Sequence, residues 1–166
     1  MMLVYLIRHG IAIDREEPDC PPDAERPLTK KGIEKAQLVM TGIRELGAKP
    51  DLILSSPLVR AWQTAEIAAK ALHYPKEKIQ RTEALLPEAD PAALMKELAR
   101  MKAEQLLCTG HAPHMDEFIA HATGTRRSFT ALKKAGVACI EFEEAAAGGG
   151  ILIALYPPRV FRLLED

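Results

Sequence analysis

A three-layer α/β/α fold, with a mainly parallel sheet and a C-terminal antiparallel hairpin, is predicted by three features of the sequence. Short apolar runs alternate with stretches whose apolar residues recur every three or four positions, as when strands cross over through helices. The runs are apolar on both faces, as buried parallel strands are. Near the end, two extended stretches flank Ala147-Gly148-Gly149-Gly150, which reads as a hairpin.

The first strand is Leu3-Val4-Tyr5-Leu6-Ile7, and Arg8-His9-Gly10 follow at its C-terminal end. In open α/β sheets that edge binds ligands, and Gly10 would let one approach the backbone. Segment 11–28 is polar, with Pro18, Pro21, Pro22 and Pro27; so long a loop is usually functional and should rim the site. Thr29 is a helix N-cap, with Ile33, Ala36, Met40 and Ile43 as the buried stripe and Leu46-Gly47 as the stop. Residues 51–55 form a second strand. Ser56-Pro57 reads as an N-cap followed by proline at the first helical position. Ala61, Ala65, Ala68 and Leu72 line that helix, so Arg60 falls in its first turn, where a cation opposes the dipole and fits an anion site. Residues 79–84 are weakly extended. Asp90 caps a helix with Leu94, Leu98 and Met101 inward. Residues 104–109 are a strand ending in Gly110-His111-Ala112-Pro113-His114, and a helix from 113–115 buries Met115, Phe118, Ile119 and Ala122. The hairpin arms are 137–143 and 151–156, closed by Pro157-Pro158.

The 166 residues suit a single domain spanning 1–166. With 48% apolar and 27% charged residues the composition is that of a soluble globular protein. A net charge of −1 lacks the basic excess of a nucleic-acid binder; Arg126-Arg127 and Lys133-Lys134 read as solvated pairs. Cys20, Cys108 and Cys139 are odd in number and without framework spacing, which argues for free thiols in a reducing compartment. A signal-like N-terminus and a bilayer-length apolar run are both missing. A cytoplasmic protein, without membrane partner, is expected.

Parallel strands bring their C-terminal ends to one edge, so Arg8, His9, Arg60 and His111 can converge. Two guanidinium forks and two imidazoles make a cationic, donor-rich pocket suited to a phosphoryl group. The sequence has no G-x-x-x-x-G-K phosphate loop and no carboxylate cluster of the magnesium-holding kind, so side chains must supply the charge. No metal or other cofactor is expected.

Leu6-Ile7-Arg8-His9-Gly10, Leu28-Thr29-Lys30-Lys31-Gly32, the run from Ser55-Ser56-Pro57 through Arg60-Ala61-Trp62-Gln63-Thr64-Ala65, and Thr109-Gly110-His111 together resemble the ordered signatures of the histidine phosphatase (phosphoglycerate mutase-like) superfamily. Leu86-Pro87, Gly110-His111-Ala112-Pro113 and Leu132-Lys133-Lys134-Ala135-Gly136 are most similar to the SixA-type phosphohistidine phosphatases. The resemblance implies in-line attack by His9 on phosphorus, a covalent phosphohistidine and its hydrolysis by water. Arg8 and Arg60 would hold the phosphoryl oxygens and His111 would donate to them. Many members place a glutamate after the third strand as general acid. Glu83, Glu88 and Asp90 fall there, and Glu88 is the candidate. A phosphohistidine substrate has less need of one, because imidazole, with a pKa near ~6.5, leaves more easily than an alkoxide. The expected partner is therefore a phosphorylated protein of the histidine phosphotransfer type.

Three alternatives stand beside that reading. One is a phosphomonoesterase for a small phosphate ester, with Glu88 as acid. Another is a zinc site from Cys108, His111 and His114, although Cys108 should face the core. The third is a phosphohistidine-binding module without turnover.

Overall fold

The computed structural model describes residues 1–165. Six strands form one sheet in the order β3-β2-β4-β1-β5-β6: β1 (Met2–Arg8), β2 (Leu52–Ser55), β3 (Gln80–Arg81), β4 (Gln105–Gly110), β5 (Val137–Phe142) and β6 (Gly150–Tyr156). The first four run parallel, and β5 and β6 are antiparallel to their neighbours. Five helices accompany them: α1 (Lys30–Glu45), α2 (Val59–Ala71), α3 (Pro91–Leu98), α4 (His114–Thr123) and α5 (Arg159–Arg162).

Each face of the sheet has its own core. Alternation along β1 sends Val4 and Leu6 to one side, with Leu94 and Leu98 of α3 and Phe118 and Ile119 of α4. Tyr5 and Ile7 face the other side, with Met40 and Ile43 of α1, Ala65 and Ala68 of α2 and Phe161 of α5. Burying each large apolar side chain is worth about 1.5–3 kcal/mol, so the two cores fix the strand register.

The helix signals behave largely as expected. The Thr29 side chain accepts from the Gly32 amide, and that of Asp90 from the Ala92 amide. Gly47 takes a positive φ just past α1. The segment after Pro157-Pro158 adds the short α5, whose Phe161 is buried.

One start signal is corrected. Helix α2 begins at Val59, two residues later than Ser56-Pro57 predicts, and its N-cap is Leu58. The Ser56 hydroxyl does accept from the Leu58 amide, at 3.3 Å, but that oxygen is also held by a side chain of another strand end.

Register decides which residues can meet. Arg8 lies opposite Gly110 and Ser55 opposite Thr109. The His9 amide then donates to the Gly110 carbonyl and the Ser56 amide to that of Thr109, carrying the alignment one residue beyond each strand. Helices α1 and α2, which follow β1 and β2, pack on one face; α4, which follows β4, packs on the other. The sheet therefore has its topological switch points around β4, where open α/β sheets leave a crevice.

Candidate functional site

That crevice is a cleft of about 920 Å³ lined by Arg8, His9, Arg60 and His111, and by loop residues from Ile11 to Arg26. All four expected residues meet there. The two imidazoles lie 5.1 Å apart, tilted by 55°.

His9 is 7% exposed. Its Nδ1 is 2.6 Å from the Gly10 carbonyl oxygen. A carbonyl only accepts, so Nδ1 bears the proton and the lone pair of the neutral ring sits on Nε2. Burial, followed by the fields of Arg60, Arg8 and Lys134, outweighs the Gly10 bond and brings the pKa down to about 4. The ring is neutral near pH 7, with a nucleophilic nitrogen free.

His111 is pushed further, to about 3, by burial and then by His9, Arg60 and His114. Its Nε2 pairs with the Ser56 hydroxyl at 2.8 Å. Ser56 thus positions an imidazole, while the N-cap of α2 lies two residues further on at Leu58.

Arg8 is anchored by donation to the Leu132 carbonyl at 3.0 Å. Leu132 is held in turn by Asp116, in the first turn of α4, which accepts from the Leu132 amide and the Thr130 hydroxyl. Arg60, 3% exposed, donates to the Asp23 carbonyl at 2.8 Å and lies 3.4 Å from its carboxylate. Burial acts to raise the pKa of that carboxyl, but a hydrogen bond from Arg26 and the charges of Arg60 and Arg15 hold it below its ordinary value. The Nε of each arginine and Nδ1 of His111 are buried without a partner among the described residues. Arginine nitrogens can only donate, so the site carries more donors than its own acceptors satisfy, as an anion-binding site does.

The glycines work differently from the expectation. A Cβ on Gly10 would meet the Gly32 carbonyl oxygen at 3.1 Å and the Leu28 side chain at 3.3 Å. A Cβ on Gly32 would run into the Ile11 backbone. Gly10 therefore admits helix α1, not a ligand.

Glu88 reaches the cleft wall beside Pro87 but is exposed there. Cys108 faces the core, where burial pushes its thiol up to about 12, so it is no ready thiolate. Among the described residues His, Cys, Asp and Glu form no group that could hold a metal. Trp62 packs partly against the core, with the Arg81 guanidinium 4.3 Å over its ring.

Sequence reasoning missed Ser56 as a histidine partner, Asp23, Asp116, and Lys134 as a member of the cleft. Their only local signals are an acid in the first turn of a helix for Asp116 and a basic pair for Lys134.

The mixed sheet and the cationic pocket at its edge form an α/β anion-binding protein of phosphoglycerate mutase-like architecture. A model of the histidine phosphatase superfamily (branch 1) matches residues 4–86, and the chain belongs to that superfamily. An uncharacterised protein of Picosynechococcus sp. is 39% identical over 140 residues, 82% of each chain. The structure of the protein histidine phosphatase SixA complexed with tungstate superposes with a TM-score of 0.86 at 23% identity, over 96% of this chain and 99% of that one. A phosphoserine phosphatase of Entamoeba histolytica, in complex with phosphoserine, gives 0.68 at 17% identity, over 96% and 98%. At these identities the two structures share the fold. None of the helices described is long and apolar enough to cross a membrane.

Proposed function

We propose that this phosphatase removes phosphoryl groups from protein histidines through a covalent phosphohistidine on His9. The observation that carries the reading is a neutral His9 with its lone pair on Nε2, set among donors that lack acceptors.

In the proposed cycle Nε2 of His9 forms a bond to phosphorus as the bond to the substrate nitrogen breaks, the substrate ring leaving as neutral imidazole with the proton already on its other nitrogen. Arg8 and Arg60 bind the phosphoryl oxygens and His111 donates to them as charge builds. Water then attacks the phosphoenzyme, releasing orthophosphate and restoring His9.

The substrate choice follows from the acid side of the site. Glu88 is exposed on the cleft wall, and the Asp23 carboxyl is held ionised by arginines. Asp23 is therefore a poor proton donor near pH 7, and Glu88 is not enclosed with the reacting groups. An imidazole leaving group tolerates this; an alkoxide does not. The similarity to the protein histidine phosphatase SixA fits this choice, and that to the phosphoserine phosphatase keeps small esters as the competing class. Turnover of a phosphohistidine peptide against phosphoserine separates them. The reading expects kcat/KM to favour phosphohistidine strongly; faster ester hydrolysis would sink it.

A further inference from the structure

The cleft has two walls of opposite charge. On the loop side it is lined by Asp14, Glu16, Glu17, Asp19 and Asp23, which outnumber Arg15 and Arg26 on the same loop, both paired with Asp23. On the other side of Arg8 a second groove opens, about 670 Å³ in volume, whose walls carry Arg8, Lys35, Lys133, Lys134, Arg159 and Arg162. No carboxylate lines that groove among the described residues. The chain as a whole has a net charge of −1, so the asymmetry comes from placement and not from composition.

Beyond Arg8 of β1, three separate elements build the basic wall. Lys35 comes from α1, Lys133 and Lys134 from the turn before β5, and Arg159 and Arg162 from α5. Among the described residues these five make no ion pair, whereas Arg15, Arg26 and Arg60 are all paired with Asp23. Arg8 belongs to both cavities, so the strip runs directly out of the phosphoryl pocket.

We infer that this strip is a docking surface for an acidic segment of the protein that carries the phosphohistidine, lying beside the modified residue. The inference rests on the phosphohistidine reading and names the flanking chemistry of its substrate. Exposed lysines and arginines spread along a groove attract an extended run of carboxylates. A second phosphate on a small substrate would instead call for convergent, fixed donors, as Arg8 and Arg60 provide in the pocket itself. The acidic loop opposite repels the same segment and so sets its direction.

The test uses two phosphohistidine peptides that differ only in their flanks, a run of glutamates in one and of glutamines in the other. They are offered to the full chain and to its triple variant Lys35→Glu/Arg159→Glu/Arg162→Glu, whose residues are not in the phosphoryl pocket. Far-UV circular dichroism and p-nitrophenyl phosphate turnover verify that the variant folds. At low salt the wild type should favour the acidic peptide by about tenfold in kcat/KM, mostly through KM, and lose that preference as salt rises. The variant should lose it too, with turnover of the neutral peptide unchanged. Equal use of the two peptides by the wild type, or a preference that survives in the variant, overturns the docking surface alone. A wild type that cleaves p-nitrophenyl phosphate but neither peptide removes the phosphohistidine reading and the docking surface with it. A preference for a bisphosphorylated metabolite over its monophosphate, with none between the peptides, marks a second phosphate site and also overturns the inference.

Discussion

The Thr64 hydroxyl accepts from the Gly10 amide at 3.1 Å while donating to the Arg60 carbonyl at 2.8 Å. One buried side chain thereby ties the loop that carries His9 to the helix turn that carries Arg60. Thr64→Val keeps the shape but leaves the Gly10 amide without an acceptor. A loss of about 1–3 kcal/mol in stability is expected, together with reduced turnover, and Thr64→Ser should restore most of both. Urea denaturation and steady-state kinetics on the two variants check this; a valine variant equal to wild type would show that the bridge is dispensable.

Trapping the phosphoenzyme tests His9 directly. Acid-quenched wild type should yield an acid-labile, base-stable phosphoryl adduct, and His9→Ala should yield none. An adduct in His9→Ala would assign the nucleophile elsewhere.

The donors around the phosphoryl group should act on the chemical step. Arg60→Ala and His111→Ala are each expected to lower kcat by about 10²–10³-fold, the usual effect of removing one donor to developing charge. Ser56→Ala should lower it less, because the imidazole remains and only its orientation loosens. Single-turnover rates distinguish the two cases.

Asp23 pairs with Arg60, so on the proposed reading it should compete with a bound phosphoryl group. Asp23→Asn keeps an oxygen acceptor and removes the negative charge, so orthophosphate should inhibit more tightly, by roughly fivefold for ~1 kcal/mol of partly screened repulsion. An unchanged inhibition constant would mean that Asp23 swings away when the anion binds.

Stability should depend on pH through three buried histidines. Burial is the leading cause in each, holding His9 and His114 at about 4 and His111 at about 3, against an ordinary 6.5. They are neutral in the fold, while the unfolded chain takes up protons below 6.5. The unfolded state then binds more protons, so stability is full above that pH and falls as pH drops toward about 4. The loss is at most about 1.4 kcal/mol per pH unit for each histidine. Both ring nitrogens of His114 lack a partner among the described residues. His114→Leu should therefore be neutral or stabilising by ~1–2 kcal/mol at pH 7 and should flatten the acid slope by about one third. Urea titrations at pH 7 and pH 5 measure both effects.

Much of the fold and the cationic pair of motifs was legible in the chain. The apolar runs, the Thr29 and Asp90 caps and the alternating strand–helix pattern depend on contacts within a few residues, and such contacts leave a local pattern. By the same logic Arg8, His9, Arg60 and His111 could be picked out, because each lies at a strand end or in the turn or helix start after one, and strand ends share an edge. What the sequence alone could not decide was anything set by register and loop path. Ser56 reads locally as a cap, and only the pairing of Ser55 with Thr109 brings it under His111. Asp23 reaches Arg60 from 37 residues away through a loop without periodicity. Gly10 looks like room for a ligand until helix α1 is packed against it. The basic strip is invisible in a chain of net charge −1, since its cations come from distant elements that only folding sets side by side. Local hydrogen bonds and hydrophobic period are written in sequence order; electrostatic fields and close approaches exist only where the folded chain brings distant residues together.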